Sequence, residues 1–501
     1  MMDGRHGRDV EQIRSSISHF YQSKTPFRVY HGSTNSTRHA NFQRDAIVDV
    51  SSLNHVLHID VERKTALVEP NVPMDELVQA TKRVGLLPPV VMEFPGITVG
   101  GGFVGTAGES SSFKHGFFDR TILSAEVILA DGRLVTASET SNRDLFHGLR
   151  GSFGTLGILT LVELRLIDLK KYVQVTYHPT NSFDSALGKL REETKQAGNE
   201  FVDGILFSRT AGVIISGVLT NSPSHQYTVQ RFSRPWDPWF YLHAEHIANQ
   251  NATHIELVPI EDYLFRCDRG AFWMGRYAFK FFMMPWNWFF RLILDYFMHT
   301  RIMYHAMHAS GHTDKYIIQD IAIPSENTLE FIEFVDSQFG IYPLWLCPLR
   351  NDARSSMGHP KVYYSKFDKS EYQGDYVNVG VWAFRPLSEA AYVKANRDLE
   401  GKVGELGGLK WLYARIFFTE DEFWKIYDER SYTELRRTWN AMSLPSIWEK
   451  MRERPRMQRK EHQSGLRGHV KGFVMRNGFL SGVYGVYKAL RGGDYMLAKK
   501  N

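Results

Sequence analysis

The chain of 501 residues is long enough for two or three domains with cores of their own, and its 43% apolar content is that of an ordinary globular protein. Only two cysteines occur, Cys267 and Cys347, without CxxC spacing; they exclude a disulfide framework and a cysteine zinc site and fit a reducing compartment. The net charge of +5 is segregated: Lys450 to Asn501 holds thirteen Lys/Arg against three acids, which leaves the preceding residues at about −5.

A basic tail on an acidic body points to an anionic surface, and with no aromatic-interleaved RNA motif the expected surface is phospholipid rather than nucleic acid. The start, MMDGRHGRDVEQIRSS, has no apolar core of a signal peptide. No stretch reaches the roughly 18 uncharged apolar residues of a membrane span. The nearest approach, 277–298, carries Lys280, Arg291, Asp295 and the helix breaker Pro285. It is either a buried cap element or an interfacial segment.

In chain order, residues 9–22 have the period of a short amphipathic helix. FRVYHGST and AIVDVSSL read as strands, the first running into a glycine turn. HVLHIDVERKTALVEP reads as two strands with a turn at Glu62–Lys64. MDELVQATKRVG is a helix with Pro73 at its start and Gly85 as its stop. AEVILADGRLVTAS is a hairpin turning at Asp131-Gly132. RDLFHGLRGSFGTLGILTLVELRL gives a helix, a glycine loop and a long strand. From about 173 strands alternate with aromatic-rich helical stretches, and boundaries are expected near 170 and 446.

Gly100 to Gly105 spells G-x-G-x-x-G. The dinucleotide fold that uses this motif needs a buried strand directly before it and a helix opening inside it. LLPPVVMEFPGIT before it is broken by prolines, and ESSSFKHG after it is serine-rich, so that reading is set aside. Glycines at 100, 101, 102, 105 and 108 predict instead a loop with positive φ and bare N–H groups suited to a pyrophosphate, with Thr98, Thr106 and Ser110 as added donors. His305, His308 and His312 share a helical face, but Gly311 and the lack of a nearby acid make them surface histidines rather than a metal site.

Three stretches in order, YHGSTNS, PGITVGGGFVGTAGESSS and RDLFHGLRGSFGTLGILT, resemble the p-cresol methylhydroxylase (vanillyl-alcohol oxidase) type of FAD-binding domain. The resemblance implies an α+β chain. Residues 1–170 would be the FAD-binding domain of two small α/β subdomains, 171–445 an α+β substrate cap, and 446–501 a basic tail. It implies FAD contacts from Gly32, Ser33, Thr34, Asn35 and Ser36 in the first loop. In the second they come from Pro95, Gly96, Thr98, Val99, Gly100, Gly101, Gly102, Gly105, Thr106, Gly108, Glu109, Ser110 and Ser111. Gly154, Gly157 and Ile158 supply the third. His31 precedes rather than follows its glycine and no cysteine lies in these loops, so the flavin is expected to be non-covalent.

TVGGGFVGTAGESSSFKHGFF, KKYVQVTYHP, IYPLWLCPL, WLYARIFFTEDEFWKIYD and YTELR further resemble the 24-dehydrocholesterol (delta(24)-sterol) reductase family. That family reduces a C24=C25 side-chain double bond with NADPH through FAD. It implies a lipophilic substrate and a peripheral place on the cytosolic face of the endoplasmic reticulum membrane. An acid must protonate one alkene carbon, and Tyr413, Glu109 and His115 are the candidates. Arg415 stands where the family has an acid, and Arg150, Arg266, Arg269 and Arg276 would either meet the NADPH phosphate or form a solvated face. The alternative on the same fold is an FAD oxidase or dehydrogenase of an alcohol or specialised metabolite. The glycine-studded tail GLRGHVKGFVMRNGFLSGVYGVYKALRGG is either a lipid-facing segment or a disordered one.

Overall fold

The computed structural model describes residues 4–32, 35–38, 42–222, 226–351, 374–385, 387–452, 474–475 and 477–492, without the side chain of Asp314. The expected helix at the start extends over Gly4–Gln22, burying Val10, Ile13 and Ile17 at helical spacing. Arg28–Tyr30 and Ile47–Asp49 pair in parallel. A five-stranded antiparallel sheet follows, in the order Val56–Asp60, Thr65–Val68, Ile158–Arg165, Ile122–Ile128, Leu134–Ser138. Its turns are the expected ones: Lys64 has φ of 51° and Gly132 has φ of 87°. Pro73 caps the helix Met74–Lys82, and Gly85 follows it with φ of 78°.

Leu86–Leu87 pairs with Ile167–Asp168, and the remaining strands build one eight-stranded antiparallel sheet. Its order is His254–Pro259, Tyr172–Thr180, Ala211–Thr220, Phe201–Ser208, Leu344–Leu349, Tyr376–Phe384, Tyr316–Pro324, Leu409–Lys410. Residue alternation gives this sheet two different faces. Ile317, Ile321, Ile323, Leu344, Leu346, Val377, Val379 and Val381 pack under the helices Phe183–Thr194, Thr328–Phe339 and Glu389–Glu405. The intervening residues Ile318, Trp345, Cys347, Leu349 and Trp382 join the core of the first third of the chain. Side chains at the even positions 318–322 and 376–382 and the odd positions 345–349 therefore look toward the glycine-rich stretch. The mixed α+β architecture agrees with the expectation from sequence.

Candidate active site

The glycine-rich stretch differs from the expected open nest. Val99–Gly105 forms a short helix, capped by Thr98 Oγ1, which accepts from the Gly101 N–H at 3.1 Å. None of the five glycines has positive φ; the left-handed residue is Thr106, at φ 53°. The glycines are needed for closeness instead. A Cβ on Gly100 would stand 2.7 Å from Pro70, one on Gly102 2.4 Å from the Met92 methyl, and one on Gly108 3.0 Å from Leu349 and Phe117. Gly101 is exposed, and a Cβ on Gly105 would meet nothing closer than Phe153 at 3.7 Å, so those two leave a bare face that a flat ligand can approach.

The other two loops converge on that face. Gly32 turns at φ 84°, while Ser33 and Thr34 lie outside the described residues. Asn35 reaches toward Gly96, whose Cβ would lie 3.6 Å from its Nδ2. Ser36 Oγ donates to the Tyr413 carbonyl at 2.6 Å, and the Ser36 carbonyl lies 2.9 Å from His308 Nε2. Pro95 accepts from Arg301 at 3.2 Å. Gly154 has φ of 74°, and Gly157 is a packing glycine whose Cβ would collide with Val127 at 2.5 Å where Ile158 enters its strand. Buried Ser110 ties the second loop to the eight-stranded sheet, its carbonyl accepting from the Val202 N–H at 2.8 Å, and Ser111 is buried beside it.

Three cations meet at this junction, and the sequence reading missed them. Arg38 lies 5.5 Å above the Phe153 ring and donates to the Lys450 carbonyl at 3.4 Å, while the Lys450 ammonium donates to the Phe153 carbonyl. Burial, then Arg38 and Arg28, push Lys450 down to about 7. Burial, then Lys450, Arg38 and Arg28, push His31 down to about 4. A pocket where cations depress one another is one that a diphosphate would relieve, so the residues present fit the pyrophosphate of FAD. No local signal marked them, because Lys450 sits more than 400 residues from Arg38 and reads as the first charge of the tail.

On the other side of the glycine helix Glu93 and Glu109 meet Asp320 and Tyr413, from the region of the eight-stranded sheet, in an acid cluster. Glu109 is held well above the carboxylate range, first by burial, then by the charge of Glu93 and a hydrogen bond with it. Burial raises Asp320 to about 6 against the hydrogen bonds it accepts. These come from the Tyr413 hydroxyl at 2.5 Å and from Asn378 Nδ2 at 3.1 Å. Burial and Asp320 in turn hold the Tyr413 phenol well above its usual range. Asp320 and Asn378 lie at the even positions described above, the face turned toward the glycine stretch. Around them Phe94 packs on Trp382 at 5.8 Å and on Phe272 at 5.6 Å, and the Trp411 indole donates to the Thr106 carbonyl at 2.7 Å. The result is an aromatic-walled site in which burial and a neighbouring acid make Glu109 hold its proton more tightly than a free carboxyl does.

Two of the three proposed proton donors, Glu109 and Tyr413, thus share this cluster. His115 does not: its Nε2 pairs with Glu200, which also takes Lys114 at 2.6 Å. Three of the four arginines considered for a cofactor phosphate are buried and engaged, contrary to a solvated face. Arg150 faces Asp119 and Glu139, Arg266 binds Asp203 at 2.5 Å, and Arg269 binds Asp295 at 2.7 Å; only Arg276 is exposed. Arg415 lies over Tyr392 and Phe417 rather than in the acid cluster. The three histidines are not surface groups either. His308 holds the first loop, and buried His312 lies 2.7 Å from Ser481 and is driven down to about 4 by burial and Lys315. A different trio, His243, His254 and Glu256, converges among the described residues, with both imidazoles on the Glu256 carboxylate.

Residues 6–138 match the model of an FAD binding domain. With the loop geometry and the cationic junction, this defines an FAD-dependent oxidoreductase carrying a p-cresol methylhydroxylase-type cofactor domain. The chain is similar to delta(24)-sterol reductase of Rattus norvegicus, 29% identical over 80% of this chain and 76% of that protein. It is also similar to the delta(24)-sterol reductase homologue of Caenorhabditis elegans, 27% identical over 89% and 87%, and to delta(24)-sterol reductase of Arabidopsis thaliana, 28% identical over 85% and 79%. The chain is a homologue of the delta(24)-sterol reductases.

Proposed function

We propose that this enzyme reduces the C24=C25 double bond of a sterol or triterpenoid side chain, with NADPH as the source of electrons. The observation that carries the proposal is the Glu93–Glu109 and Asp320–Tyr413 cluster. An isolated alkene has no carbonyl to polarise, so its reduction needs a proton donor in a dry pocket, and this cluster keeps one there. Bound FAD supplies the hydride, and NADPH replenishes it. Glu109 holds the proton; Glu93 keeps it there by charge and hydrogen bonding; Tyr413, anchored by Asp320, orients the cap side. The Phe94, Phe272 and Trp382 faces favour the positive charge that develops on the tertiary carbon.

In this reading residues 1–170 bind FAD. Arg28, Arg38, Lys450 and the loop residues Gly32–Ser36 hold its diphosphate. The stretch 95–111, with its bare Gly101 and Gly105, and the loop Gly154–Ile158 receive the rest. Residues 171–445 form the cap, whose sheet begins at Tyr172, and 446–501 a basic tail. The flavin is held without a covalent bond, and the enzyme works at a membrane surface as a peripheral protein. No helix among the described residues is long and apolar enough to cross a membrane.

The test is a purified yellow protein reduced anaerobically by NADPH and then offered desmosterol. Reoxidation with formation of cholesterol is the expected result. A flavin that ignores sterols but is reduced by an alcohol would replace this reading with that of an oxidase or dehydrogenase.

A further inference from the structure

The C-terminal helix Gly478–Arg491 is inside out for a water-soluble surface. It docks through its small residues: a Cβ on Gly485 would stand 2.4 Å from the Ala306 carbonyl, one on Gly482 2.5 Å from Phe281, and Ser481 meets His312 at 2.7 Å. Its large apolar residues Phe479, Val483, Tyr487 and Leu490 recur at helical spacing on the opposite side and are 45–53% exposed. An ordinary amphipathic helix buries that stripe.

A second exposed set adjoins it. The short helix Trp288–Ile293 buries none of its residues. Met283 is 80% exposed, and Trp236, Trp288, Phe289, Ile293 and Tyr296 are each exposed by more than half. The two sets join through the Phe282 and Phe479 rings, 6.1 Å apart, and the second is tied together by the Trp288 indole on the Trp236 carbonyl at 3.4 Å. Scattered apolar residues need no explanation, but one continuous face of this kind does.

Charge selects the occupant. Arg234 lies over Trp236, Arg291 over Trp286, and Lys280, Lys488 and Arg491 edge the face. Within 283–296 the one acid, Asp295, is buried on Arg269, and Asp237 beside Trp236 accepts from the Arg234 N–H. The chain that leads into and out of the terminal helix belongs to the tail of thirteen basic residues and three acids. Tryptophan and tyrosine beside lysine and arginine suit the boundary between headgroups and acyl chains of an anionic bilayer.

Behind the face lies a cavity of about 540 Å³ with a largely aromatic wall that includes Tyr241, Trp273, Met284 and Trp286 and with the charged Glu245, Arg276 and Lys280 also on its lining. Met284 and Trp286 alternate along the chain with the exposed Met283 and Trp288, so one segment is both the wall of the cavity and the outer face. On the inner side the Trp273 indole donates to the Trp382 carbonyl at 2.7 Å, and Trp382 packs on Phe94, next to Glu93 of the acid cluster.

We propose that this face seats the enzyme in one leaflet of an anionic phospholipid membrane and that the cavity behind it receives the lipophilic substrate from that leaflet. The identity of the substrate rests on the sterol-reductase reading; the docking surface does not. The test uses the full-length holoenzyme and the double variant Trp288→Glu/Phe289→Glu, whose side chains are exposed and lie away from the flavin loops. Binding is read by flotation with vesicles of phosphatidylcholine alone and with about 30% phosphatidylserine, a mixture set by the experimenter at roughly the charge of an anionic leaflet. The wild type is expected to float with the anionic vesicles and less with neutral ones. The variant is expected to lose at least about tenfold in binding while keeping its FAD and its rate of flavin reduction by NADPH. Its reduction of vesicle-borne desmosterol should fall in parallel, and that of detergent-dispersed desmosterol should not. Undiminished vesicle binding by the variant overturns the proposal, as does a wild-type dimer in light scattering that the substitutions dissociate. Intact vesicle binding in a wild type inert toward every sterol supports the surface and counts against the proposed reaction alone.

Discussion

Replacing Asp320 by asparagine isolates one buried charge whose cost is readable from the structure. Its carboxyl is raised from 3.8 to about 6, by burial first and by Glu93, against the hydrogen bonds from Tyr413, Asn378 and Trp382. A shift of about two units corresponds to about 3 kcal/mol between the two protonation states. The folded form binds the proton more tightly than the unfolded chain. The stabilisation from that proton is therefore complete below 3.8 and is lost as pH rises through about 6. The substituted amide has no such proton, can still accept from the Tyr413 hydroxyl, and is close to isosteric. The stability of Asp320→Asn relative to wild type should therefore improve by about 2.5 kcal/mol between pH 4 and pH 7, short of the full shift because the unfolded carboxyl is already more than half ionised at pH 4, whatever the offset from altered hydrogen bonds. Paired denaturant titrations of the holoenzyme at half-unit pH intervals measure this difference directly. A difference that stays flat over that range would show that Asp320 ionises normally and that the cluster is wetter than its packing implies.

Glu109→Gln should lower the rate of sterol reduction by about 10²–10⁴, the usual worth of a positioned general acid, while reduction of the flavin by NADPH, followed by stopped-flow absorbance, is unchanged. FAD binding to apoprotein should take up a proton between about pH 7 and pH 9, because the diphosphate restores the charge that Lys450 has lost at about 7. Calorimetry in buffers of different ionisation enthalpy reads that uptake, and Lys450→Met should abolish it and weaken FAD retention. Gly100→Ala puts a methyl 2.7 Å from Cβ of the Pro70 ring and 2.9 Å from its backbone carbonyl, neither of which can swing aside as a flexible side chain would. Its expected cost is about 1–3 kcal/mol, seen as a lower melting temperature with FAD lost on gel filtration.

Local chemistry was enough wherever a signal spans only a few neighbours. The turns at Lys64 and Gly132, the Pro73 cap and the flavin-loop resemblance could be read because each depends on residues close in sequence. The same reading erred over the glycines. Composition marked glycines 100, 101, 102, 105 and 108 alike as a positive-φ loop and could not tell that close packing is what excludes a side chain at 100, 102 and 108. Met92, Phe118 and Leu349, which decide it, come from elsewhere in the chain. Arg150, Arg266 and Arg269 were likewise legible as cations but not as buried ones, since their acids Asp119, Asp203 and Asp295 are brought by other elements.

The sequence by itself determined the class of protein and the cofactor, and it named Glu109 and Tyr413 as candidates together with His115, which the structure places elsewhere, because family motifs and local turns are written in contiguous residues. Only the tertiary structure decided that Glu93 and Asp320 complete that cluster, that Lys450 comes to lie beside Arg38 and Phe153, and which apolar residues of the helix Gly478–Arg491 face outward. Asp320 in YIIQDIAIP looks like an interruption of a strand until antiparallel pairing with Tyr376–Phe384 fixes which face it occupies. A carboxyl's proton affinity depends on what surrounds it, and strands, loops and a terminal helix far apart in sequence supply those surroundings only when the chain is folded.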